Sequence, residues 1–170
     1  MKLPILVGRA VRLRPAEPAD AARLAVILAE PSVARWWTPG GPRGAAADWL
    51  DDFGPATFVI EHDGAVVGSL QFSEVDDADY RSAGIDLFIA SAAQGLGLGT
   101  DAVRTAARYL FEERGHHRLT IDPAAANARA IHVYGKVGFR PVGVMRSYER
   151  GQDGRWHDGL LMDLLAEELV

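Results

Sequence analysis

This sequence encodes an α/β (α+β) domain around one mixed, largely antiparallel central sheet, and three observations point there. Runs of apolar and β-branched residues flank tight-turn signals at both ends of the chain, as antiparallel hairpins do. Mid-chain, a strand, a glycine-rich turn, a helix and another strand follow one another, which is a crossover unit. The length of 170 residues, with 48% hydrophobic and 24% charged, suits a single domain, 1–170, with one core.

Taken in order, Val11 and Leu13 alternate with Arg12 and Arg14 as a first strand. Glu17-Pro18-Ala19-Asp20 opens a helix with Leu24, Ile27 and Leu28 on one face, ending before Pro31. Residues 35–44, rich in Trp, Pro and Gly, are irregular and lead to a short helix through Trp49. Runs 57–61 and 65–72 form a hairpin around His62-Asp63-Gly64. An acidic loop, 74–80, precedes a strand over 84–89. After the glycine turn, a helix runs from about Gly99 to Arg114, with Ala102, Val103, Ala106, Ala107, Leu110 and Phe111 as its apolar stripe and Gly115 at its end. A short strand spans 119–121. Asn127 caps a helix carrying Ile131, Tyr134 and Val137, which Gly138 stops. Strands 142–148 and 156–164 close the chain around Gly151-Gln152-Asp153-Gly154.

Composition removes several function classes. A formal charge of −5 opposes general nucleic-acid or anionic-membrane binding, which needs a positive field. With no cysteine there is no disulfide framework, thiolate nucleophile or Cys-ligated zinc. No His/Asp/Glu set has metal-ligand spacing, so no metal is expected. No run approaches the roughly 18 apolar residues of a membrane span, and residues 3–7, broken by Pro4, are too short for a signal-peptide core. The expected compartment is therefore the cytoplasm.

The most informative segment is Gln94-Gly95-Leu96-Gly97-Leu98-Gly99-Thr100, between a strand and a helix. Glycines let the backbone approach a ligand at positive φ, and the free amides and dipole at the helix start favour an anion. A phosphate or diphosphate is the ligand this suggests; a glycine-softened loop with no ligand is the competing account. Walker-type phosphate binding is excluded, because Thr100 and Asp101 follow where a Lys is required. Gly97-x-Gly99-x-x-Ala102 with Asp122 some twenty residues on also matches a relaxed dinucleotide fingerprint. Against that stand the gap between strand and motif and the missing second half of a doubly wound fold.

Gln94-x-x-Gly97-x-Gly99 resembles the pyrophosphate loop of the GCN5-related N-acetyltransferase (GNAT) family. Asn127-x-x-Ala130-Ile131-x-x-Tyr134-x-Lys136-x-Gly138-Phe139, one strand later, resembles that family's second cofactor segment. The resemblance implies a GNAT-like sheet with a splayed fourth and fifth strand (84–89 and 119–121) and about four helices. It implies acetyl-CoA as cofactor. Gln94, Gly95, Leu96, Gly97, Leu98, Gly99 and Thr100 would hold its pyrophosphate. Leu87, Phe88 and Ile89 would pair with the pantetheine arm. Asn127, Ala130 and Tyr134 would lie beside the arm and the thioester sulfur. A backbone amide near Phe88 or Ile89 would face the charge developing on the carbonyl oxygen.

Within the family, Trp36-Trp37, Gly84-Ile85-Asp86 and Thr120-Ile121-Asp122-Pro123 are similar to aminoglycoside 6′-N-acetyltransferases. From Met145 onward the segment 146–156 also looks like ribosomal-protein and other small-amine acetyltransferases. A polycationic acceptor suits the acidic run Glu74, Asp76, Asp77 and Asp79, placed at a cleft mouth, although such runs are commonly solvated loops. Trp36 and Trp37 would lie against sugar rings or cations, or else pack the core, with at most one facing inward. Asp86 is implied as general base or as anchor for the reacting amine. At an ordinary pKa of about 3.9 against an amine at about 9 to 10, direct transfer runs uphill by about 7 kcal/mol, which favours the anchor. Tyr134 is expected as the acid for the leaving thiolate, at a cost of about 2 kcal/mol. Asp122 would bind a second amine or satisfy backbone amides near Pro123. Asp153 and Asp158 are further substrate-binding candidates, although Asp153-Gly154 also suits a turn. The expected enzyme, a monomer or homodimer, acetylates a cationic small-molecule amine, with an aminoglycoside 6′-amine first. A peptide, ribosomal-protein or polyamine acceptor and a non-catalytic acyl-CoA-binding module are the alternatives.

Overall fold

The computed structural model describes residues 3–37 and 56–170; the irregular segment beyond Trp37 and the short helix expected near Trp49 lie outside them. Eight strands form one sheet in the order β1-β2-β3-β4-β5-β6-β8-β7. They are β1 (Leu6–Val7), β2 (Arg12–Pro15), β3 (Thr57–His62), β4 (Ala65–Val75), β5 (Ser82–Ile89), β6 (Arg118–Ile121), β7 (Arg140–Arg150) and β8 (Trp156–Leu165). All neighbours pair antiparallel except β5 and β6, the two strands joined by the crossover helix. The two-residue β1 was not expected, because Pro4 hides its pattern.

Four α-helices occur among the described residues: α1 (Ala21–Leu28), α2 (Pro31–Ala34), α3 (Leu98–Glu112) and α4 (Ala128–Val137). Glu17-Pro18-Ala19-Asp20 makes a 3-10 turn before α1 rather than its first α-turn. Pro31 does end α1, and it also starts α2, since a proline at the first helical position loses no intrahelical hydrogen bond. The expected stripe on α3 is buried, with Phe111 only half so. Leu13, Phe58, Ile60, Leu70, Leu110, Leu119 and Leu164 lie at the centre of the core with no exposed surface, each such side chain contributing roughly 1.5–3 kcal/mol. Asp101, buried on the first turn of α3, accepts the amides of Arg9, Ala10 and Val11 at 3.1, 2.8 and 3.1 Å. That carboxylate fastens the N-terminal hairpin to the crossover helix.

Candidate active site

The site begins where two parallel strands part. β5 and β6 pair only at Ala83–Leu119 and Gly84–Thr120. Beyond Gly84, β5 stays paired with β4 up to Ile89, so its other edge is open. The Ala90 amide donates to the Val67 carbonyl at 2.7 Å, which sets the alternation. Backbone groups of Phe88 therefore turn toward β4, and those of Leu87 and Ile89 toward the opening. This corrects the expectation for Phe88: its amide lies on the ladder side, and only Leu87 and Ile89 present amides to the gap. The Leu87 amide donates to Asp86 Oδ1 at 3.0 Å.

Asp86 and Asp122 each sit two residues past the last position at which β5 and β6 pair with each other, so the splay sets them on either side of one opening. A cavity of about 290 Å³ holds Asp86, Asp122, Tyr134, Tyr148 and Glu149, with Trp36 and Trp37 on its wall. Asp86 is solvent-accessible through this chamber, although its carboxyl is set deep among the surrounding protein atoms. Burial pushes its carboxyl up to about 7, the Asp122 charge adds to the rise, and Glu149 contributes least, against the Leu87 amide. Glu149 is also raised, by burial first and then by Asp122. Tyr148 donates to Asp122 Oδ2 at 2.6 Å, and this bond leads in pushing its phenol up to about 12. Tyr134 is buried against Phe139; enclosure, then the charges of Asp86 and Asp122, hold its proton more firmly than in an ordinary phenol.

A second cavity, of about 300 Å³, adjoins the chamber through Leu87, Asn127, Ala130 and Tyr134. Phe88, Ile89, Gln94, Gly95, Gly97, Leu98, Gly99 and Thr100 also line it. Gly95 and Gly97 both take φ +78°, the left-handed region where a side chain is strained. Gly97 precedes α3 with no side-chain cap, leaving the amides at the start of that helix unpartnered by a cap. Leu96 does not line the cavity and its side chain is 63% exposed, so only its backbone can take part. Gln94 Nε2 donates to the Ile89 carbonyl at 2.9 Å, and its Oε1 accepts from Arg129 Nη1 at 2.9 Å. Gln94 thus braces the end of β5 and brings a cation to the glycine turn. Asn127 caps α4 by accepting the Ala130 amide at 3.2 Å and lines both cavities. Amide donors, a guanidinium and an open strand edge suit a diphosphate followed by an amide-bearing arm, so the residues present fit acetyl-CoA.

Both tryptophans line the cavities, although at most one was expected to face inward. The helical turn continues past α2, with Trp36 and Trp37 amides donating to Val33 and Ala34. Successive side chains in such an i→i−3 turn are about 120° apart rather than opposed. Trp37 also packs edge-on against Phe88, with centroids 5.6 Å apart.

Three acidic candidates are elsewhere. Glu74 lines none of these cavities; it accepts from Arg114 Nε at 3.0 Å and Nη2 at 2.7 Å and pairs with His116 Nε2 at 2.7 Å. Its register opposite Ala83 puts it at the far end of the β4–β5 hairpin, and Asp76, Asp77 and Asp79 in the turn beyond it line none of them either. Asp153 and Asp158 line a third, outer cavity of about 680 Å³ that shares Trp36, Trp37, Ala124 and Glu149 with the chamber. Asp153 accepts the Arg155 amide at 3.0 Å and pairs with His157, which is turn chemistry. Asp158 accepts the Ser147 amide at 2.8 Å. Arg129, Tyr148 and Glu149 also line these cavities and are not among the site residues expected from the sequence. A cation beside an anion-binding turn was a usable signal for Arg129; nothing local marks the other two.

Residues 10–140 match the family model described as an acetyltransferase (GNAT) domain. The chain is 29% identical to the spermidine N(1)-acetyltransferase of Escherichia coli K12, over 96% of this chain and 90% of that one. It is 30% identical to an aminoglycoside N(6′)-acetyltransferase type 1 of Klebsiella pneumoniae, over 79% and 76%. The structure superposes on RimJ of Mycobacterium smegmatis, solved with CoA-disulfide, with a TM-score of 0.82 at 32% identity, covering 98% of this chain and 88% of that one.

Proposed function

The chain belongs to the GNAT acetyltransferase family and is an acetyl-CoA-dependent N-acetyltransferase acting on amines, and from that premise we propose that its acceptor is a polycationic small molecule, with the 6′-amine of an aminoglycoside as the group acetylated. The observation that carries this is the meeting of Asp86, Asp122 and Glu149 in one chamber that adjoins the glycine-turn cavity. Three carboxylates around one small cavity, two of them with raised proton affinity, are stabilised when ammonium groups enter.

When bound, acetyl-CoA supplies an acetyl group activated as a thioester. The amides that open α3, with Arg129, would hold its diphosphate, and the open edge of β5 would align the arm. The Ile89 amide faces the gap, where it would stabilise negative charge on the acetyl oxygen. Asp86 takes a proton from the reacting ammonium. With its pKa near 7 against about 9 to 10 for the amine, the transfer is uphill by about 3–4 kcal/mol rather than 7, which favours base over anchor alone. Tyr134, which lines both cavities, would donate a hydrogen bond to the departing sulfur. Its firm hold on the proton makes complete transfer more costly than the 2 kcal/mol of an ordinary phenol, so donation rather than full release is its role. Asp122 and Glu149 hold further ammonium groups.

A polyamine acceptor is the second reading, favoured by the 29% identity to the spermidine enzyme over nearly the whole chain. A thiol-release assay with acetyl-CoA and kanamycin, spermidine or an alanine-initiated peptide separates the acceptors. Kanamycin should show the highest kcat/KM and give a 6′-N-acetyl product by NMR. Higher kcat/KM with spermidine or the peptide would replace the aminoglycoside.

A further inference from the structure

The β7–β8 hairpin carries a register slip that the reaction steps above do not explain. Met145 faces Gly159 and Glu149 faces His157, so residues 146–148 stand opposite Asp158 alone. Ser147 takes φ +50°, in the left-handed region, and its amide donates to Asp158 Oδ1 at 2.8 Å. A Cβ at Gly159 would lie 2.8 Å from Tyr148 Cδ1 and 3.1 Å from Met145 Cε. The Tyr148 ring therefore folds over a place that only glycine leaves open, and its hydroxyl reaches Asp122. On its other side the same stretch holds the segment after Asp122: the Asp158 carbonyl accepts the Ala125 amide at 2.8 Å, and the Leu160 amide donates to the Pro123 carbonyl at 2.9 Å.

In a regular strand neighbouring side chains point to opposite faces. Tyr148 and Glu149 are neighbours, yet both line the acid chamber, which requires the local break in pairing that a bulge supplies. We propose that Asp158 is a positioning residue for acceptor binding: its side chain locks the Ser147 bulge, and the bulge turns Tyr148 and Glu149 into the chamber that holds Asp86 and Asp122. It acts through an accepted hydrogen bond, not through its charge, and touches neither the reacting amine nor the cofactor. The proposal rests on the acceptor-chamber reading above and adds to it a residue that sets chamber shape from outside.

The test compares Asp158→Ala with Asp158→Asn in the full chain, since the amide oxygen of Asn still accepts from Ser147. Two readouts are taken: hydrogen exchange of the Ser147 amide by NMR, and KM for kanamycin in the thiol-release assay. In Asp158→Ala, Ser147 exchange should accelerate and acceptor KM should rise about tenfold, the size of one lost hydrogen bond, with acetyl-CoA KM unchanged. Asp158→Asn should restore both. Gly159→Ala, which displaces the Tyr148 ring, should raise acceptor KM while leaving Ser147 protected. Equal losses in the Ala and Asn variants would mean a direct charge contact and overturn the proposal. So would unaltered Ser147 exchange in Asp158→Ala, or an unaltered KM in Gly159→Ala. Should the wild type acetylate none of the amines tried, the acceptor reading fails, whereas the exchange data still judge the latch.

Discussion

The pH profile of kcat/KM is the most demanding check on Asp86. Its carboxyl is pushed up to about 7 by enclosure first and by the Asp122 charge second. The acceptor amine, at about 9 to 10, is protonated throughout the range where Asp86 titrates. A carboxylate that collects the ammonium proton must itself be ionised, so the rate should plateau between about 7 and 9. Below 7 it should fall tenfold per unit, reaching a hundredfold loss near pH 5, two units under the pKa. An ordinary carboxylate at about 3.9 would stay ionised at pH 5 and produce no such loss. If Asp86 takes no part, free amine alone reacts and the rate climbs without a break up to the amine's own pKa. The three cases are thus separable with one buffer series in the thiol-release assay. Asp122→Asn removes a like charge from the chamber and so should move the break toward acid, by less than the total rise because burial is the larger cause. A break near 4, or an unbroken climb that is identical in Asp86→Asn, would refute the base assignment.

Other consequences follow from the same geometry. Tyr134→Phe should lower kcat by about a hundredfold while calorimetry finds CoA affinity unchanged; an unaltered kcat would remove its role at the sulfur. Gly97→Val forces a β-branched residue to φ +78°, where no neighbour crowds it, so the backbone of the diphosphate turn should shift and CoA affinity fall by about tenfold or more. Wild-type affinity there would count against the turn as the anion site. Glu74→Gln should leave acceptor KM alone and lower stability by about 1–3 kcal/mol, read by denaturant melts, because it weakens the partner of Arg114 and buried His116. The Arg114 contact leads in holding the Glu74 carboxyl below its ordinary range, with burial opposing and His116 helping. A depressed carboxylate stabilises above its unfolded pKa, so this contribution should be full at neutral pH and vanish as pH falls through the acid carboxylate range.

Much of the sheet, and most of the residues that line the second cavity, were legible in the sequence. Asp63-Gly64 and the 151–154 turn signal their hairpins directly, because a tight turn is set by the residues within it. The apolar stripe of α3 and the cap at Asn127 are local in the same way. Errors came where a partner far along the chain decides. Glu74 and Asp122 are both acids near strand ends, and nothing in their neighbourhoods tells them apart; register sends one to Arg114 and the other to the chamber. Phe88 and Ile89 are adjacent, and only pairing with β4 reveals which amide meets the gap.

What the sequence alone determined, then, is the local structure of the half of the site proposed to bind the cofactor. Residues 94–100 and 127–138 carry their own turn geometry, helix starts and caps, and those act over a few residues of chain. The acceptor half was decided only by tertiary structure. It depends on β5 and β6 separating after Gly84 and Thr120, and on a bulge in β7 opposite Asp158. Those choices balance hydrogen bonds between segments tens of residues apart, and no short spacing in the chain records them.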